Sequence, residues 1–152
     1  MEPEKNHAAP PMGAINHVAL TTADPAACGR FYCEVLGFRE LPRPGFPFDG
    51  RWLYRDGLGL MIHLIQPYEL IGTQPRELGP IVTLRPHLAI QTDDVDRFGE
   101  HLRTHGVDYV ERVLPDHGYR QLFFRDPDGN LIEVGEWPEV VEQASQLETA
   151  AS

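Results

Sequence analysis

Residues 15–22 form an apolar run with a polar His17 set inside it, the pattern of a buried strand. Asp24 and Pro25 then supply an N-cap and a first-turn proline for a helix that ends at Gly37. Phe31, Tyr32, Val35 and Leu36 recur at helical spacing and give that helix one apolar face. Residues 38–42, 51–55 and 58–65 read as three further strands, separated by the turn-forming stretch 45–50 and by Asp56-Gly57. The predicted order is strand, helix, three strands.

The same order returns in the second half. Residues 87–92 read as a strand, Asp94 caps a helix striped by Val95, Phe98 and Leu102, and Gly106 ends it. Residues 108–113, 119–125 and 130–135 are the next three strands, with the turn residues 126–129 standing where 56–59 stand in the first half. Asp94 lies 70 positions after Asp24, His87 lies 70 after His17, and Glu133 lies 70 after His63. The second helix is one residue shorter, and a later insertion restores the offset. The chain therefore reads as an α+β protein of two βαβββ modules, residues 14–66 and 86–137, joined by a linker at 67–85. Residues 1–13 read as a mobile arm, and Pro138 is placed to open a short helix with Val140, Val141, Ala144 and Leu147 on one side.

Composition narrows the function. A chain of 152 residues fits one compact unit, and its net charge of −10 argues against a nucleic-acid or anionic-membrane surface. A small molecule is the expected partner. No apolar stretch approaches the ~18 residues of a membrane span, and the first residues lack a signal-peptide layout, so a cytoplasmic location is expected. Cys28 and Cys33 are the only cysteines. Five helical steps put them on different faces, so they read as core or boundary residues without redox or metal chemistry.

The offset of 70 assembles one candidate metal site from both modules: His17, His63, His87 and Glu133. Glu133 sits inside Leu131-Ile132-Glu133-Val134, where an unpaired charge would be costly. Three imidazoles and a carboxylate suit Zn, Ni, Co, Mn or Fe(II) better than Ca, and an octahedral ion held by four side chains keeps two positions open. Strand alternation puts Tyr119, Gln121 and Phe123 on one face, with Arg51 and Leu53 standing 70 positions before Gln121 and Phe123. On that reading Arg51 holds an anionic substrate group, Gln121 orients an oxygen and Phe123 forms an apolar wall. His101 and His105 are four apart on the second helix, yet no nearby third ligand completes a motif. Residues 126–129 are better explained as a turn than as a cation loop.

Three segments carry a family resemblance: Asn16-His17-Val18-Ala19-Leu20, Phe31-Tyr32 through Leu36-Gly37-Phe38, and Phe123 through the Asp126-Pro127-Asp128-Gly129-Asn130 turn to Glu133. They resemble the vicinal oxygen chelate superfamily of glyoxalase I, bleomycin-resistance proteins and extradiol dioxygenases, over about residues 14–137. The runs 43–50, 62–66 and 121–124 resemble its glyoxalase-I-like branch. The resemblance implies a curved mixed sheet around a cavity, with His17, His63, His87 and Glu133 at the ligand positions. It implies a metal-dependent lyase or isomerase, like lactoylglutathione lyase, in which Glu133 moves a proton and the metal stabilises an enediolate. Glutathione or another thiol becomes a candidate cosubstrate, and a homodimer the expected assembly. Glyoxalase I typically has a carboxylate at the end of both modules, whereas this chain has His63 in the first. Without His63 the set becomes the two-His, one-carboxylate triad of an Fe(II) dioxygenase, and a binding or resistance protein is a third alternative.

Overall fold

The computed structural model describes residues 10–74, 78–115, 117–137, 145–147, 149 and 150. Most of the expected N-terminal arm and the start of the expected tail helix lie outside the described residues, although residues 145–147 are helical. The first module runs β1 (His17–Thr21), α1 (Pro25–Glu34), β2 (Arg39–Leu41), β3 (Gly50–Tyr54) and β4 (Met61–Ile65). After a 3-10 turn at Tyr68–Leu70, the second runs β5 (His87–Gln91), α2 (Val95–Thr104), β6 (Tyr109–Val113), β7 (Arg120–Arg125) and β8 (Leu131–Gly135). No helix among the described residues is long and apolar enough to cross a membrane.

Local chemistry sets these boundaries in the same way twice. The Asp24 carboxylate accepts from Ala27 N at 3.0 Å and the Asp94 carboxylate from Arg97 N at 2.9 Å, each cap being worth about 1 kcal/mol. Gly37 (φ +71°) and Gly106 (φ +66°) end the helices in the left-handed region, where a Cβ would be strained. Each module forms a four-stranded mixed sheet, in the orders β1-β4-β3-β2 and β5-β8-β7-β6. β1 runs parallel to β4 and β5 parallel to β8, so β1 and β5 are edge strands.

The two modules bury one shared core. It joins Cys28, Tyr32 and Leu36 of the first module and Leu53 and Ile62 of its sheet to Val95, Leu102, Leu122, Phe124 and Ile132 of the second. Beside the core, Asp126 ties the modules together. Its Oδ2 accepts from Tyr32 Oη at 3.0 Å, from Cys28 Sγ at 3.5 Å and from Asn130 Nδ2 at 2.7 Å. Its Oδ1 closes its own turn by accepting from the backbone N of Asp128 and Asn130, both at 2.9 Å. Asp128 Oδ1 accepts from Ala23 N at 2.7 Å. The turn at 126–129 thus closes a hairpin and also holds α1.

The repeat is not uniform at 70. Pro25 and Val95 open the helices 70 apart, but the register matches Leu41 with Val110 (69), Trp52 with Phe123 (71), and His63 with Glu133 (70). The β2–β3 connection is two residues longer in the second module, and the β3–β4 turn is one residue longer in the first. This overturns the pairing of Arg51 with Gln121 and of Leu53 with Phe123. Because side chains alternate across a strand, one residue of slip moves each to the opposite face.

Candidate metal centre and its flanking residues

On β4, His63 pairs with Ala19 of β1 and Trp52 of β3, so those three side chains share a face with His17 two residues before Ala19. On β8, Glu133 pairs with Ala89 and Phe123, and His87 shares their face. Both faces look away from the shared core. His17, Ala19 and Thr21 are exposed along β1, as are His87, Ala89 and Gln91 along β5.

Three parallel rings build the first half. His17 stacks on His63 with centroids 3.9 Å apart, and Trp52 covers the other side of His63 at 4.4 Å and 6°. His17 Nδ1 is 2.7 Å from Asn16 Oδ1, an acceptor, so Nδ1 carries the proton and Nε2 is free to ligate. His63 is 8% exposed, and its Nε2 is buried without a hydrogen-bond partner. Burial, followed by the charges of His17 and Arg43, lowers its pKa and favours the neutral ring that a metal requires.

The second half repeats this with a carboxylate. His87 Nδ1 donates to the Arg85 carbonyl at 2.7 Å and turns Nε2 toward Glu133 Oε2, 2.6 Å away. Phe123 meets the His87 ring edge-on at 5.5 Å. Glu133 is 4% exposed, and its Oε1 is buried without a partner. Burial raises its pKa, an effect that the neighbouring His87 opposes. Since Nδ1 of His87 already carries a proton, the short Nε2–Oε2 contact needs a second proton shared between the two groups.

Gln121 and Phe123 stand on the Glu133 face, with Gln121 pairing opposite Gly135. Arg51 does not share the site face. It lies over Gly29 of α1 and is engaged by Asp49 at 2.7 Å and Glu40 at 3.4 Å. Trp52 occupies the site-face position instead, and the charge of Arg43 reaches His63. Sequence reasoning missed both. Measuring each connection separately, rather than carrying one offset through the module, would have found Trp52.

The two halves do not converge within one chain. Among the described residues, the one group of three or more potential ligands with atoms within 4.8 Å of one another is Cys28, Asp126 and Asp128. Those atoms already hold the modules together, and burial, ahead of the two carboxylates, pushes the Cys28 thiol far above its ordinary range. His101 Nε2 donates to the Val35 carbonyl and His105 Nδ1 to the His101 carbonyl, so this pair is tied to backbone.

Comparison with known proteins agrees with this architecture. A Glyoxylase I 4 from Arabidopsis thaliana is 33% identical over 127 residues, covering 80% of this chain and 69% of that protein. The Escherichia coli (strain K12) protein YaeR is 32% identical, covering 80% of this chain and 95% of its own length. Among solved structures, a lactoylglutathione lyase from Agrobacterium tumefaciens superposes with a TM-score of 0.63 at 25% identity, covering 84% of this chain and 96% of that one. The model of the Glyoxalase/Bleomycin resistance protein/Dioxygenase superfamily matches residues 14–134, and the chain belongs to that superfamily.

Proposed function

We propose that the protein is a divalent-metal lyase or isomerase of the glyoxalase I type, with His17, His63, His87 and Glu133 as its ligands. The observation that carries this reading is the pair of orphaned atoms, His63 Nε2 and Glu133 Oε1. They occupy matching positions of the two modules, and leaving each buried without a partner costs about 1–3 kcal/mol. One bound ion would relieve both. The donor set fits Zn, Ni, Co, Mn or Fe(II). A dioxygenase triad of His17, His87 and Glu133 would leave the His63 nitrogen without a role, so that alternative is weaker.

When bound, the ion supplies a Lewis acid for two neighbouring substrate oxygens. The chain's own contribution is proton transfer by Glu133, whose raised pKa makes it a stronger base than an exposed carboxylate. Glu133 takes the proton from the carbon that bears a hydroxyl and returns it to the adjacent former carbonyl carbon, while the hydroxyl proton passes to the former carbonyl oxygen. The result is an isomerisation that needs no redox partner. A thiol adduct of a 2-oxoaldehyde has this arrangement of oxygens, and the Agrobacterium lyase supports glutathione as the candidate thiol. Phe123 and Trp52 flank the reacting groups, and Gln121 is placed to orient an oxygen.

We further propose that the working unit is a cytoplasmic homodimer. Each chain holds the two halves on outward faces, and each half borders an exposed sheet edge, β1 or β5, a template for pairing with another chain. A two-fold axis that brings the His17–His63 half of one copy to the His87–Glu133 half of the other completes two equivalent sites. Proton-transfer assays on metal-loaded protein, run beside oxygen uptake with a catechol, test the reaction. Isomerisation without oxygen consumption is expected, and iron-dependent oxygen uptake would overturn the assignment.

A further inference from the structure

The first half-site continues beyond Trp52 into the 42–49 connection. Phe46 lies 6.4 Å from Trp52 and stacks on Phe48 at 5.1 Å, so a row of rings leads outward from His63. Arg43 closes that row. Its guanidinium carbon is 4.9 Å from the Phe46 centroid and 5.0 Å from that of Phe48, and its Nη2 donates to the Phe48 carbonyl at 2.9 Å. It reaches the site face because Gly50 has no side chain. A Cβ there would stand 3.2 Å from Arg43 Nη2 and would collide with the Leu64 carbonyl.

Arg43 is half-buried, and among the described residues no carboxylate lies within ion-pair distance of it. Asp49, which feels its charge, accepts through Oδ1 from Gly50 N and from Arg51 Nη1, both at 2.7 Å. The Arg43 charge also reaches His63. In a chain of net charge −10, a guanidinium held rigidly by two rings beside a ligand histidine, with donors left over, is arranged to receive an anion.

We infer that Arg43 is the specificity-determining residue of the site. It selects substrates whose vicinal oxygens are joined through a flat or apolar spacer, lying along Trp52 and Phe46, to a distal carboxylate. The inference rests on the metal site proposed above and adds the substrate class. Calorimetric titration of the zinc-loaded full-length protein tests it with 4-methylcatechol, which offers vicinal oxygens and no charge, and 3,4-dihydroxyphenylacetate, which adds a distal carboxylate. A charge-assisted contact predicts that the carboxylate probe binds at least about tenfold tighter. Arg43→Met should close that gap and leave the affinity for 4-methylcatechol unchanged, while Arg43→Lys keeps part of it. Equal binding of the two probes by the wild type, or a gap that persists in Arg43→Met, overturns the inference while the metal site stands. Loss of both probes in Arg43→Met and in Arg43→Lys would make Arg43 a staple for its loop and also overturns it. If the wild type binds neither probe, the chelating site itself fails and the inference with it.

Discussion

His63 and Glu133 occupy one position of a repeated module with two different chemistries. A centre that takes a neutral imidazole from one of these positions and a carboxylate from the other would not need two negative charges in buried places. Glu133→Gln preserves size and one acceptor, so the protein should fold with unchanged circular dichroism while proton-transfer turnover falls about 10²–10⁴-fold. Unchanged turnover at saturating metal would remove Glu133 as the base. The raised pKa of Glu133 also fixes a pH trend. An acid whose folded pKa lies above its unfolded value contributes stability that is present at low pH and lost as pH rises through the folded value. In thermal melts of metal-free protein the Glu133 contribution should therefore fall as pH rises above about 5, with buried Asp126 acting in the same direction and His63, whose pKa is lowered, in the opposite one. Glu133→Gln should remove that fall, so that the difference between wild-type and variant melts isolates it, and added metal should reverse it, because binding displaces protons from the ligands. The candidate residues of the proposed centre stand out in the sequence as a charge inside an apolar strand and histidines at a fixed offset. Their hydrogen-bond partners, Asn16 and the Arg85 carbonyl, do not, because these depend on side-chain rotation and backbone path.

At the level of elements, the caps, helix stripes and strand order could be read from the chain because each is local chemistry within about four residues. Arg51 marks where that reading stops. The offset at β3 is 71 rather than 70, and one residue of slip in a strand sends a side chain to the other face. The slip comes from loop lengths on both sides of β3 that compensate by β4, so the ligand offsets conceal it. The inter-module tie at Asp126 was equally hidden. The sequence shows an Asp-Pro-Asp-Gly turn, and only the packing brings Tyr32 and Cys28 to it. Tyr32→Phe removes one donor from this buried carboxylate. It should cost about 1–3 kcal/mol, which in a chain of this size lowers Tm by about 2–4 °C per kcal/mol. Calorimetry that shows no change would mean that the hydroxyl contributes nothing to joining the modules.

For the whole molecule, duplication places two half-sites on faces that one chain cannot bring together. In the proposed homodimer, pairing through the exposed edges would cover β1 and β5 and complete the proposed ligand set. Loaded wild-type protein should therefore run as a dimer in sedimentation and bind about one ion per chain. The central claim, a single centre built from His17 and His63 of one module and His87 and Glu133 of another, is tested most directly by counting ions in mixed variants. His63→Ala and Glu133→Gln should each bind metal poorly alone. When they are unfolded together and refolded as an equal mixture, half of the dimers carry one intact site, so tight metal should return to about a quarter of the wild-type level. A mixture that binds no more metal than either variant would contradict a site shared between chains, and a wild type without tight stoichiometric metal would contradict the centre altogether.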